Sequence, residues 1–252
     1  MIARHDSIGI KQVLRLDWMQ KAVNLKRSRI DPKSARASLH EYLEETIEVA
    51  TGESSSLQTR KFAVNNLMNI WFPEEQGLFQ LSDALATMAG EKDTSPVALH
   101  WAMTSAVYPF WHNVAKQAGR LLSLQDQVTQ SQIVKRLKEQ YGDRQTVSRY
   151  ARFVIRSFVD WGVLKDATRK GCYEMAASIS ISSPKLYALL IESSLLAVPE
   201  YKSPLGQLQV HPAFFPYTLP VMTGDQLSRI NPRLNVVRYG LDDELLCIKT
   251  IR

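Results

Sequence analysis

A mainly α fold with a helix-turn-helix and a β-hairpin near its centre is predicted by three observations on this 252-residue chain. Apolar residues recur at spacings of three and four in most segments before residue 161. Prolines such as Pro32 and Pro96 stand where those patterns begin, the position at which a helix tolerates proline best. The stretch 132–177 then reads as a short helix, a turn, a basic helix and a hairpin, which is the plan of a winged helix-turn-helix. The chain divides on this reading into a helical domain over 1–124, a winged helix-turn-helix over 125–182 and a small α+β region over 183–252.

The elements follow in order. An amphipathic helix is expected over 10–25, with Ile10, Val13, Leu14, Leu16, Met19, Val23 and Leu25 as its apolar residues. Asp31-Pro32 supplies an N-cap and a first-turn proline for a helix over 33–50. A polar loop over 51–56 leads to a helix over 57–71, which Phe72-Pro73 stops. Helices follow over 78–89 and 97–108, and Pro109 kinks or breaks the pattern before another over 110–124. Beyond the central unit, Ser183-Pro184 opens a leucine-rich helix over 185–198. An irregular proline-punctuated stretch, a short helix over 224–230 and a hairpin of 234–240 and 244–251 about a turn at 241–243 complete the chain.

Within the central unit, Thr129 caps a helix over 130–141 that would bury Ile133, Val134, Leu137 and Tyr141. Gly142 can end it at positive φ, and Thr146 can cap the next helix. On that second helix Val147, Tyr150, Ala151, Val154, Phe158 and Trp161 form one stripe, and Ser148, Arg149, Arg152 and Arg156 form another. A helix of this kind fits the major groove, where arginine can fork onto guanine or neutralise phosphates. Arg144, Gln145, Ser148 and Arg149 lie near the helix start and are the candidates for base edges; Arg152 and Arg156 are placed for phosphates. Lys165, Arg169 and Lys170 put further charge on the hairpin, or wing, formed by 162–166 and 172–175.

Charge is distributed in blocks. Residues 1–40 hold nine Lys/Arg against three Asp/Glu, residues 41–134 five against eleven, and residues 135–170 ten against four. The last of these basic blocks coincides with the helix-turn-helix, which is better evidence for nucleic acid than the overall charge of +6. Cys172 and Cys247 are too few for a disulfide framework and are expected as reduced thiols. The N-terminus lacks an apolar signal core, and the richest apolar run, 186–198, is short and contains Glu192. A cytoplasmic protein with no membrane partner is the expectation.

Catalytic signals are weak. The five histidines lie far apart, with no cysteine at zinc spacing. His40-Glu-Tyr-Leu-Glu44 lacks the second histidine of a metalloprotease helix and is better read as a solvated face. His100, Trp101, Tyr108, Trp111 and His112 surround Pro109 and admit two readings, bases stacked on rings or a buried aromatic core, of which core is favoured. Asp242-Asp-Glu244 with Lys249 misses the Glu-x-Lys spacing of a metal-dependent nuclease. No glycine-rich phosphate loop and no nucleophile elbow is present, so no catalytic residue, cofactor or metal is expected.

The block Leu99-His-Trp-Ala-Met, Tyr108-Pro-Phe-Trp, Gly119-Arg-Leu-Leu, Arg136 to Arg144 and Trp161-Gly-Val-Leu164 resembles helical winged-helix proteins of bacterial antiviral defence operons of the BREX type. The similarity covers about the central third of the chain and includes no catalytic motif. It implies an accessory role beside larger ATPase or methyltransferase subunits. The expected function is non-enzymatic binding of double-stranded DNA, with larger defence-complex subunits as further partners; the alternative is a structural adaptor that docks a larger protein partner through the winged helix and aromatic segments.

Overall fold

Capping residues fix many of the helix ends in the computed structural model, which describes residues 4–51, 57–239 and 243–249. Helix α1 spans Leu16–Arg27, and α2 spans Pro32–Thr51 with the Asp31 carboxylate accepting from the N–H groups of Lys33 and Ser34 at 3.0 Å each. Helices α3 (Leu57–Trp71) and α4 (Gln76–Met88) follow. In α5 (Pro96–Val107) the Ser95 hydroxyl accepts from the N–H of Ala98, and Pro109 opens a separate helix, α6 (Pro109–Leu122), rather than kinking one. Residues 52–56 of the expected loop lie outside the described residues.

The first helix is shorter than its periodicity predicts. Residues 10–15 are not helical, because tertiary partners claim their backbone. The N–H of Leu14 donates to Ser157 Oγ and that of Leu16 to the Asp160 carboxylate, both at 2.8 Å. The Leu14 carbonyl accepts from the Trp161 indole, also at 2.8 Å. Ile10 and Leu14 are buried from this strap. These tertiary bonds satisfy backbone groups at Leu14 and Leu16 that a helix continued back to residue 10 would have paired internally.

The middle of the chain runs β1 (Gln127–Thr129), α7 (Gln130–Tyr141), α8 (Gln145–Asp160), β2 (Leu164–Asp166) and β3 (Cys172–Met175). All pairs are antiparallel and the strand order is β1-β3-β2, with Val128 opposite Tyr173 and Lys165 opposite Glu174. Strand β1 was not expected, since three residues are too few to show alternation. Thr129 makes a full capping box with Gln132, and Gly142 sits at φ 81°. Thr146 is not a cap: α8 begins two residues earlier than that cap implies, with Arg144 in the N-cap position and no side-chain bond there. The expected strand from residue 162 starts at Leu164, because Gly162 turns the chain at φ 67°.

Beyond it lie β4 (Ile179–Ser180), α9 (Pro184–Leu196), β5 (Lys202–Pro204), α10 (Leu205–Gln209), β6 (Tyr217–Thr218), α11 (Gly224–Ile230), β7 (Leu234–Tyr239) and β8 (Asp243–Ile248). Short elements thus occupy the stretch expected to be irregular. Strands β5, β8 and β7 form an antiparallel sheet in that order, and β4 pairs with β6 in parallel. The tip of the β7–β8 hairpin, 240–242, and residues 250–252 lie outside the described residues.

The described chain is mainly helical, and one apolar core runs from Ile10 to Leu246. Helices α5 and α9 pack on each other at its centre, buried over Ala98–Val107 and Leu186–Leu196, as helices apolar on every side must be. Trp71, Trp101 and Trp111 are fully buried, and Trp101 stacks on Phe158 with ring centroids 4.8 Å apart. The aromatic residues around Pro109 are therefore core, and not a platform for bases. The one charge α9 carries inside, Glu192, is 1% exposed and is met by the Arg233 guanidinium at 2.6 and 2.7 Å and by Asn231 at 2.6 Å.

Candidate nucleic-acid interface

Two stripes divide α8. Val147, Ala151, Val154, Ile155, Ser157 and Phe158 are buried, fixing the helix against α7 and α6. Gln145, Arg149, Arg152 and Arg156 are exposed, Ser148 and Tyr150 are partly buried, and Trp161 is buried just past the helix end. The i, i+3, i+4 spacing produces this division directly. The one carboxylate on α8, Asp160, lies at its C-terminal end and is occupied with Leu16. Between Ser148 and Arg156 the outward face thus carries three arginines and no carboxylate.

The predicted cations differ in what they touch. Arg149 and Arg152 have no carboxylate partner among the described residues, and their guanidinium groups flank the Phe153 ring at 5.9 and 5.8 Å. Arg156 is tied to Asp166 on β2, one nitrogen reaching both carboxylate oxygens at 2.7 and 2.8 Å, and this partner holds its pKa above the usual value. Arg144 folds back on its own turn and donates to the Tyr141 carbonyl at 3.1 and 2.7 Å, closing the C-terminus of α7. Lys165 pairs across the hairpin with Glu174 at 3.0 Å, which holds the Glu174 carboxyl below its usual range.

Arg169 and Lys170 are exposed at the β2–β3 tip and likewise have no carboxylate partner among the described residues. The turn is closed locally: the N–H of Ala167 donates to the Cys172 carbonyl at 3.0 Å, and that of Cys172 to Arg169 at 3.1 Å. The Gly171 carbonyl accepts from the N–H of Gln130, docking the tip's base against the start of α7. Of the cations predicted to contact nucleic acid, those without a carboxylate partner therefore lie in two places, the exposed stripe of α8 and the hairpin tip. A surface of this kind neutralises anions that come to it.

Other sequence candidates dissolve into structure. Glu44, which stands where a metalloprotease helix would have its second histidine, forms an ion pair with Arg60. Glu244 accepts from the Gly224 N–H at 2.8 Å and from Arg238 at 3.4 Å, while Asp242 lies outside the described residues. Among the described residues no cluster of three or more His, Cys, Asp or Glu is arranged to hold a metal ion. Cys172 and Cys247 are free thiols, and no described helix is long and apolar enough to cross a membrane.

No protein-family model matches this chain, and neither a curated protein nor a solved structure is significantly similar to it.

Proposed function

We propose that residues 109–175 form a winged helix that binds double-stranded DNA, with α8 in the major groove and the β2–β3 tip on the backbone. The order α6, β1, α7, α8, β2, β3, with β3 between the other two strands, supports the module. The observation that carries the DNA reading is the state of Arg149 and Arg152. They stand exposed on the second helix of the pair, without carboxylate partners among the described residues, while the opposite face is locked into the core. Arg169 and Lys170 extend the same potential to the tip. The role needs neither a catalytic group nor a cofactor. Accessory work in an antiviral defence complex, which the sequence resemblance implies, would add a larger subunit as second partner.

Arg149→Ala/Arg152→Ala is the discriminating variant, because Arg156 is already occupied by Asp166. Anisotropy of a labelled random duplex across a salt series should show wild-type affinity falling steeply with salt. The double variant should bind more weakly, losing about one unit of the log–log salt slope for the phosphate contact of Arg152 and sequence preference for the base contact of Arg149. Binding unchanged in that variant, or absent at low salt, sinks the reading.

One observation favours protein docking as the second reading. Tyr150 and Phe153 stack at 6.2 Å on the same helix between the arginines, and aromatic residues with arginine are the usual anchors of protein interfaces. A partner held that way would bind with little dependence on salt.

A further inference from the structure

A second group of cations without acidic partners lies away from α8. Lys116 and Arg120, one turn apart on α6, line a cleft of about 720 Å³ whose other wall is formed by residues 198–212. Lys202 and His211 stand on that wall, and Glu200 is the only carboxylate among the described lining residues. None of Lys116, Arg120 and Lys202 forms an ion pair among the described residues.

The two α6 cations disfavour one another. Lys116 is half-buried, and loss of water together with the neighbouring Arg120 lowers its pKa. Like charges four residues apart on a helix repel, and here one of them, Lys116, is partly withdrawn from water while Arg120 stays exposed. The wall is also seated directly on the helix. A Cβ at Gly119 would run into the Pro212 carbonyl oxygen and come within 2.9 Å of Phe215 Cβ.

His211 contributes a donor. Its Nδ1 accepts from the Ala213 N–H at 3.2 Å, which leaves the ring proton on Nε2. Burial, then Lys116 and Arg120, push its pKa down to about 4, so the ring is neutral at ordinary pH. His112 stacks on it at 4.8 Å and holds its plane.

We propose that this cleft binds a phosphoryl anion, Arg120 forking onto its oxygens, Lys116 and Lys202 neutralising its charge and His211 donating from Nε2. With Glu200 counted, the three cations leave a net charge of +2, which a single carboxylate would only half match, whereas a phosphoryl dianion matches it. The volume falls within the range of small-molecule sites, roughly 300–1,000 Å³. Lys116 and Arg120 lie on the first helix of the proposed winged helix, but none of these side chains belongs to the contact surfaces assigned to DNA, α8 and the β2–β3 hairpin, so the two sites can fail separately.

Titration calorimetry of the whole protein with inorganic pyrophosphate at low ionic strength tests it. Saturable one-site binding is expected, weakened about tenfold or more by Lys116→Met and by Arg120→Gln. Arg149→Ala/Arg152→Ala should leave it unchanged. Lys116→Met keeps the apolar stem, so without ligand it should melt no lower than wild type, and it should lose the rise in Tm that pyrophosphate gives wild type. No saturable binding by wild type, or full binding by folded Lys116→Met and Arg120→Gln, overturns the site. A duplex added to the pyrophosphate-loaded Arg149→Ala/Arg152→Ala protein distinguishes the sources of the phosphoryl group. Displacement assigns the cleft to DNA backbone phosphate, and retention assigns it to a small phosphorylated ligand.

Discussion

Helices α8 and α9 lie in one fold and treat charge in opposite ways. On α9 the interior admits one carboxylate, Glu192, and surrounds it with Arg233 and Asn231. On α8 the outward face keeps Arg149 and Arg152 without acidic partners, although Asp166 is close enough to take Arg156. A charge that helps hold the fold together is matched from within the chain. A charge left over is available to something outside it. Lys116 and Arg120 on α6 fall into the second class, and that is why they carry an inference where the better-connected charges do not.

The largest effect expected from this contrast is on α9. Arg233→Ala leaves the Glu192 carboxylate buried with only Asn231 beside it, and the chemical-denaturation midpoint should drop by the equivalent of about 3–5 kcal/mol. A loss below about 1 kcal/mol would mean that water reaches Glu192, and the contrast with α8 would fail.

Next comes the neutral interior. His100 is fully buried against Trp71 and Trp161, and burial lowers its pKa from 6.5 to about 3. Below pH 6.5 the unfolded chain takes up a proton that the folded protein refuses until near pH 3. The stability present at and above pH 6.5 is therefore lost as pH falls through that window, on the order of 2 kcal/mol by pH 5 from this residue. His100→Phe should flatten the stability–pH curve by that amount; an unchanged slope would show that the ring titrates freely in the folded state. Gly119→Ala should cost a comparable amount, about 1–3 kcal/mol, by forcing residues 212–215 off α6. A thermal melt at wild-type Tm would show the seat of the phosphoryl cleft to be looser than its contacts imply.

Much of this was legible in the sequence because helix ends are local. Asp31, Ser95, Thr129, Ser183 and Thr223 cap within three residues of themselves, and the helices they open follow the apolar spacing. The start of α1 was not legible, since it depends on Ser157, Asp160 and Trp161 more than a hundred residues away. The candidate site divides in the same manner. Periodicity places Arg149, Arg152 and Arg156 on one face, but only folding brings Asp166 to Arg156 and Glu174 to Lys165. Lys116 and Arg120 stayed hidden because they sit in a segment with five basic residues against eleven acidic ones. Net charge over a segment averages away a local pair.

The smallest effect is the most direct test of what pairing means. The Arg156–Asp166 pair is open to water, with side chains 44% and 54% exposed, so Asp166→Asn should change stability by less than about 1 kcal/mol. It should nonetheless strengthen DNA binding, because it removes a negative charge beside the arginine stripe and frees the Arg156 guanidinium for a phosphate. One added phosphate contact raises the log–log salt slope by about one unit. The same substitution in the Arg156→Ala background isolates the two contributions: the loss of negative charge remains, while the extra slope disappears. If Asp166→Asn leaves both affinity and slope unchanged, Arg156 lies outside the contact surface, and the interface narrows to Arg149, Arg152 and the hairpin tip.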